Sequence, residues 1–244
     1  VKDIVNGPRY LFQGAALLMR PKLRRFVLIP LTINLLLFGA LVVWAYGQVD
    51  DVTQWLVSRL PDWLQWLSAV VVPLFWITSL VVIFYSFSVV ANLVGAPFNG
   101  LLAEAVEAHL TGETFESSWR DVIRDIPAAI GSELRKLLYY LLRAIPLFIL
   151  LWVPVLNLPA MVLWVLFGAW MMTVQYIDFP MGNHRLFFTE QRRRLRKRPL
   201  LAWSFGGLVM LCTMVPVVNF MVMPAAVAGA TVMWVREPGL REGG

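Results

Sequence analysis

Four stretches of the 244-residue chain contain no Asp, Glu, Lys or Arg: Phe26 to Val49, Trp63 to Ala103, Ala144 to Ile177 and Pro199 to Val235. Together they occupy 136 residues, more than half of the chain. A helix needs roughly 20 consecutive apolar residues to cross a bilayer, so runs of this length predict an all-α integral membrane protein. Composition excludes the soluble alternative. Hydrophobic residues make up 59% and charged residues 15%, where a soluble domain carries about 45–50% and about 25%.

The first two runs, of 24 and 41 residues, are long enough to span. The last two, of 34 and 37 residues, fit neither one crossing nor two. As single straight helices they would measure about 51 to 56 Å at 1.5 Å per residue. Two crossings would take about 40 residues plus a turn, each through a hydrocarbon core of about 30 Å. The charge distribution gives a direction. Of the 21 basic residues, 20 lie outside the connection from Asp50 to Asp62, which holds Arg59 alone. Under the positive-inside rule every other connection is cytoplasmic, so the third and fourth runs each begin and end on the cytoplasmic side.

Two full transmembrane helices plus two re-entrant, hemi-penetrating helix hairpins satisfy these counts. Turns fall where the hairpins require them: Pro154-Val155-Leu156-Asn157-Leu158 with Pro159, and Pro216-Val217-Val218-Asn219-Phe220 with Pro224. Proline removes a backbone donor and asparagine can bond the freed groups. The competing reading is a pair of Pro-kinked single spans with long ends. The predicted organisation is one membrane domain over 1–244. It comprises an interfacial helix and anion site (1–25), a first span (26–49), a second span (63–103) and cytoplasmic helices (104–143). A re-entrant hairpin (144–177), a basic connection (178–198) and a second hairpin (199–235) complete it. Helices extend into the cytoplasm, with a turn near Gly112 and a return helix opening around Pro127. Trp44, Tyr46, Trp55, Trp63 and Trp66 mark the outer aromatic belt. The polar, amphipathic opening is not read as a secretory signal.

No enzyme is expected. The two histidines, His109 and His184, are far apart in sequence, and neither a metal-binding His pair, a phosphate loop nor a nucleophile elbow occurs. Neither a cofactor nor a metal is predicted, and the single Cys212 allows no internal disulfide. The Arg192 to Arg198 cluster reads as a topology and anionic-lipid signal rather than a nucleic-acid site.

Two sets of residues could carry chemistry. In Arg20-Pro21-Lys22-Leu23-Arg24-Arg25-Phe26 a proline precedes an apolar run, which favours the first turn of a helix. The partnerless N–H groups there, the helix dipole and the two guanidinium groups could hold a tetrahedral oxyanion. On sequence physics alone, before any resemblance is considered, a plain positive-inside anchor is the favoured reading of these residues. The second set comprises Asn34, Asn92, Asn99, Asn157 and Asn219 within the apolar runs, together with Glu104, Glu107 and His109. These read either as interhelical glue or as the lining of a neutral-donor path for an anion.

The chain resembles the CysZ sulfate permeases over nearly its whole length. The matching strings are Pro21 with Leu23-Arg24-Arg25-Phe26-Val27; Pro30-Leu31 with Ile33-Asn34; Pro61-Asp62-Trp63-Leu64-Gln65-Trp66-Leu67; Ala96-Pro97-Phe98-Asn99-Gly100-Leu101-Leu102-Ala103-Glu104; Gln175-Tyr176 with Asp178 and Pro180; Asn183-His184; and Met223-Pro224 with Gly229-Ala230-Thr231. The resemblance implies a multi-pass protein of the bacterial inner membrane that brings sulfate into the cytoplasm for assimilation toward cysteine. Its partners would be sulfate, membrane lipids and further copies of itself, with protomers in opposite orientations, whereas the charge count predicts one orientation. The family's Gly-Leu-Arg sulfate motif maps onto Lys22, Leu23, Arg24 and Arg25, with Lys in place of Gly, and the family often carries Arg where this chain has His109. A non-transporting scaffold or lipid-binding protein is the second reading.

Overall fold

The structure, a computed structural model, describes residues 2–59, 61–113 and 119–241. Among them every element is helical: α1 (Lys2–Leu18), α2 (Pro21–Ser58), a 3-10 helix (Asp62–Leu67), α3 (Ser68–Thr111), α4 (Trp119–Leu151), α5 (Asn157–Asn183), α6 (Phe188–Leu195), α7 (Pro199–Thr213), α8 (Pro216–Arg236) and α9 (Pro238–Arg241). Three stretches are long and apolar enough to cross a membrane: Pro21–Ser58, Trp63–Phe87 and Asn157–Asn183. The fold is thus that of a helical membrane protein. The chain divides into two compact units, Val27–Phe98 and Val1–Phe26 with Asn99–Gly244.

The Val27–Phe98 unit is an antiparallel pair made from α2 and α3. Phe38 meets Phe87 with ring centroids 4.8 Å apart, Tyr46 meets Trp76 at 5.6 Å, and Asn34 Nδ2 donates to the Ala91 carbonyl at 3.5 Å. Outside these seams the pair is turned outward. In the most apolar 18-residue stretch of each helix no residue is buried. Trp44, Tyr46, Trp55, Trp63 and Trp66 are all exposed and gather toward the turn end of the pair, as an interfacial belt requires.

The other unit owes its core to small residues. α1 packs on α7 and α8, while α5 packs on α4, α7 and α8. A Cβ at Gly14 would overlap the backbone of Gly229 and Ala225, and one at Gly206 would overlap the Ala169 carbonyl. Glycine there lets helix backbones touch, which is how membrane helices gain contact area. Ala226, Val227, Ala228, Ala230, Val232 and Met233 of α8 are wholly buried, as befits a helix that is apolar on all sides.

Polar ties close this unit at its charged end. Arg198 forks between Asp3 and Glu237: Nε donates to Asp3 Oδ2 at 2.8 Å, Nη2 reaches Asp3 Oδ1, and Nη1 donates to Glu237 Oε2 at 2.8 Å. Tyr10 donates to Glu237 Oε1 at 2.6 Å. Arg194 donates to the carbonyls of Leu240 and Arg241 at 2.6 and 2.7 Å, fixing α9. Lys136 pairs with Asp178 at 2.7 Å, and Gln191 donates to the other oxygen of that carboxylate at 2.5 Å.

Two boundaries differ from the sequence expectation. α4 opens at Trp119 and carries Pro127 in its interior. Pro30, Pro73, Pro97, Pro146, Pro180 and Pro224 likewise lie inside helices, as membrane helices tolerate. The second hairpin turn falls at Met214 and Val215, ahead of Pro216 rather than across 216–220. Proline disfavours the helical conformation of the residue before it, and Val215 is accordingly extended, with φ −95° and ψ 109°. The first turn, 152–156, coincides with Pro154. There Val155 takes a left-handed φ of 72°. The turn after α3 is made by Gly112, at φ 77°, whose N–H returns to the Ala108 carbonyl at 2.9 Å, a glycine helix stop.

Candidate anion-binding site

The α1–α2 junction concentrates positive charge. α1 stops at Leu18, Met19 and Arg20 turn, and Pro21 takes the first position of α2, where its missing N–H costs nothing. The Arg20 carbonyl accepts from the amides of both Leu23 and Arg24 at 3.0 Å. This leaves the Lys22 N–H as the amide of the first turn without such a bond, a narrower backbone donor set than a bare helix start offers. Leu23 is 3% exposed and pins the turn into the protein, whereas Lys22, Arg24 and Arg25 point outward. The Arg25 guanidinium lies 4.9 Å from the Phe26 ring centroid, a cation–π contact that orders it.

Arg20 was not singled out as a site residue from the sequence, yet it joins the cluster to α3. Its Nη1 donates to His109 Nε2 at 2.6 Å. A separation of 89 residues hides this pairing from any local motif. His109 is thus tied to the basic junction through Arg20.

The acids of α3 behave differently. Glu107 is fully buried and faces two donors: His184 Nε2 at 2.9 and 3.0 Å from its two oxygens, and Trp234 Nε1 at 3.2 Å from Oε1. Arg241 Nη2 stands 3.9 Å away. A desolvated carboxylate requires such partners, so Glu107 is bound into the core. Glu104 is part-buried, and burial, then the neighbouring Glu107 charge, pushes its carboxyl above the usual range. Asn99 is buried with Nδ2 3.6 Å from Met223 Sδ.

The remaining candidates are dispersed. Asn34 belongs to the Val27–Phe98 unit, where its Oδ1 is buried and bonds no described residue. The side chain of Asn92 lies outside those described. Asn157 and Asn219 are exposed in the first turns of α5 and α8. Asn157 Oδ1 accepts from the Leu158 N–H at 2.8 Å, the backbone role expected of a turn asparagine. The structure therefore brings Lys22, Leu23, Arg24 and Arg25 onto one turn with Arg20 and His109 beside it. It sets Glu104 and Glu107 together on α3 and leaves Asn157 and Asn219 at separate turns.

Long apolar helices define a helical membrane protein, and one of them opens on a cluster of exposed basic side chains. The chain belongs to the family described as Sulfate transporter CysZ/Etoposide-induced protein 2.4, which matches residues 10–224. Relatives named Sulfate transporter CysZ bear this out. The one from Pseudomonas aeruginosa is 48% identical over 239 residues, covering 97% of each chain. That of Pseudomonas fluorescens is 48% identical over 238 residues, 97% of this chain and 95% of its own. That of Pectobacterium atrosepticum is 44% identical over 232 residues, 94% of this chain and 84% of its own.

Proposed function

We propose that the chain carries sulfate across the bacterial inner membrane into the cytoplasm, feeding sulfate assimilation and cysteine biosynthesis. It does so as a transporter rather than an enzyme. The anion is met at the start of α2 by the guanidinium groups of Arg24 and Arg25, the Lys22 ammonium and the backbone of Lys22 and Leu23. One observation carries the reading: three exposed cations and a buried Leu23 anchor share the first turn of a helix that is long and apolar enough to span. That geometry supports a site where the positive helix end and exposed donors meet the start of an apolar segment. The names of the relatives supply the identity of the anion.

In this reading 26–49 and 63–103 cross the membrane, while 144–177 and 199–235 fold back from the cytoplasmic side. The breaks at 152–156 and 214–215 support the hairpins, as does the charge count of the connections. The outward-facing apolar side chains of α2 and α3 suit lipid and further copies of the chain, so the working unit is a homo-oligomer. Asn99, Glu104, His109 and the other membrane asparagines are proposed to line the route beyond the mouth.

Sulfate flux into liposomes tests the proposal. The double variant R24A/R25A should lose sulfate binding and most of its flux while keeping its helical content. Flux equal to that of the parent would overturn the assignment of the site, and absence of flux in the parent would overturn the function.

A further inference from the structure

A groove of about 600 Å3 opens in the Asn99–Gly244 part of the chain, walled by α4 and the α6–α7 connection and floored by α5. Its volume lies in the range of ligand pockets, about 300–1,000 Å3, and its residues take no part in the site described above. The groove is chemically two-ended. Leu147, Phe167 and Trp203 give it apolar walls, while Arg143 and Arg196 bring two positive charges, and neither Asp nor Glu lines it.

The polar groups are underused. Arg143 lies 3.8 Å from the Tyr139 ring centroid and makes one long bond, 3.4 Å, to the Tyr139 carbonyl, leaving most of its five N–H donors available. Arg196 is exposed, and its guanidinium bonds no described residue. Trp170, 8% exposed, keeps a buried Nε1–H with no partner among the described residues, an arrangement that costs free energy unless something accepts from it.

Sequence position orders the two ends. Arg143 is the last charge before the apolar run Ala144 to Ile177, and Arg196 stands just ahead of the run Pro199 to Val235. Both guanidinium groups therefore sit where an apolar run meets its basic flank, the depth of lipid headgroups, and the apolar walls continue into the runs. An inorganic oxyanion would use the arginines and waste the walls. A neutral lipid would use the walls and leave two uncompensated charges.

We propose that this groove binds one anionic glycerophospholipid, its phosphate between Arg143 and Arg196 and an acyl chain along Leu147, Phe167 and Trp203. The test counts lipid retained by the full chain in detergent, by native mass spectrometry, with phosphatidylglycerol and phosphatidylcholine of matched acyl chains. The parent should retain phosphatidylglycerol at least tenfold better than phosphatidylcholine. R196Q should lose most of that preference, R143Q/R196Q all of it, and L147W should lower retention of both lipids. R24A/R25A should retain lipid as the parent does, which separates this site from the sulfate site. Equal retention of the two lipids by the parent, undiminished phosphatidylglycerol on R143Q/R196Q, or its displacement by millimolar sulfate would each overturn the proposal. If the double variant does not fold, R196Q alone decides, since the Arg196 side chain makes no hydrogen bond or ion pair with a described residue.

Discussion

Removal of the Arg198 side chain tests how the N- and C-terminal helices are held together. Arg198→Ala strips Asp3 and Glu237 of their shared cation. The Glu237 side chain is 8% exposed, and breaking a buried pair by removing one partner costs about 3–5 kcal/mol. Asp3 and Arg198 are 23% and 30% exposed, so that half is screened and contributes under about 1 kcal/mol. Tyr10 still donates to Glu237, which holds the total near the low end, about 3–4 kcal/mol. For a chain of this size each kcal/mol moves Tm by roughly 2–4 °C. Circular dichroism in detergent should then give a Tm about 6–16 °C below the parent. Arg198→Lys, which keeps the charge and loses the fork, should fall in between. A pH series adds a signature. The Arg198 hydrogen bond holds the Asp3 carboxyl below its usual 3.8. Its stabilisation is therefore complete above that value and is lost as pH falls through the lower, folded-state value. The Tm gap between parent and Arg198→Ala should narrow below about pH 4. A Tm within about 2 °C of the parent would refute the reasoning, since it falls below the shift expected for even 1 kcal/mol. So would an Asp3→Asn effect of equal size in both backgrounds, because coupled residues cannot behave additively.

Three further outcomes follow from the packing and charge described above. Gly14→Leu should separate α1 from α8, where even a Cβ overlaps the Gly229 backbone; a loss of at least about 1–3 kcal/mol is expected from overpacking, read as a lower Tm. Val155→Asn should stabilise by about 1 kcal/mol, because Val155 is 86% exposed and holds a left-handed φ of 72° that asparagine adopts more easily; an unchanged or lower Tm counts against it. Glu104→Gln should raise Tm at neutral pH and leave it unchanged at pH 4. Burial and the Glu107 charge raise the folded Glu104 value, so its stability is complete below the unfolded value and declines as pH rises through the folded one.

Local features of the sequence proved readable because their causes are local. Gly112 stops α3 because a left-handed residue was needed there, and Pro154 ends α4 for want of a donor. The turn before Pro216 came two residues earlier than expected because proline acts on its predecessor. Pro127 failed as a boundary marker because α4 begins a turn and more ahead of it and runs through it, as helices of membrane proteins tolerate. The grouping of the site was beyond local reading. Lys22 to Arg25 share one turn and could be seen as a unit, but Arg20 meets His109 across 89 residues and Glu107 meets His184 across 77. Those pairings depend on which helices become neighbours, and charge-free runs carry little information about that. Glu107 consequently read as a candidate for the path, whereas it is enclosed by His184 and Trp234.

The α2–α3 pair of Val27–Phe98 has a consequence for how its sequence can vary. In its most apolar stretches no side chain is buried, so few positions outside the Phe38–Phe87 and Tyr46–Trp76 seam are fitted to a particular shape. Leu35, Leu36, Val43 and Leu74, each well over half exposed, need only be oily. Exchanges among apolar residues there should be nearly silent, and a single charge should be ruinous. Selection on that hairpin acts on its chemistry in bulk, leaving the letters themselves free to drift.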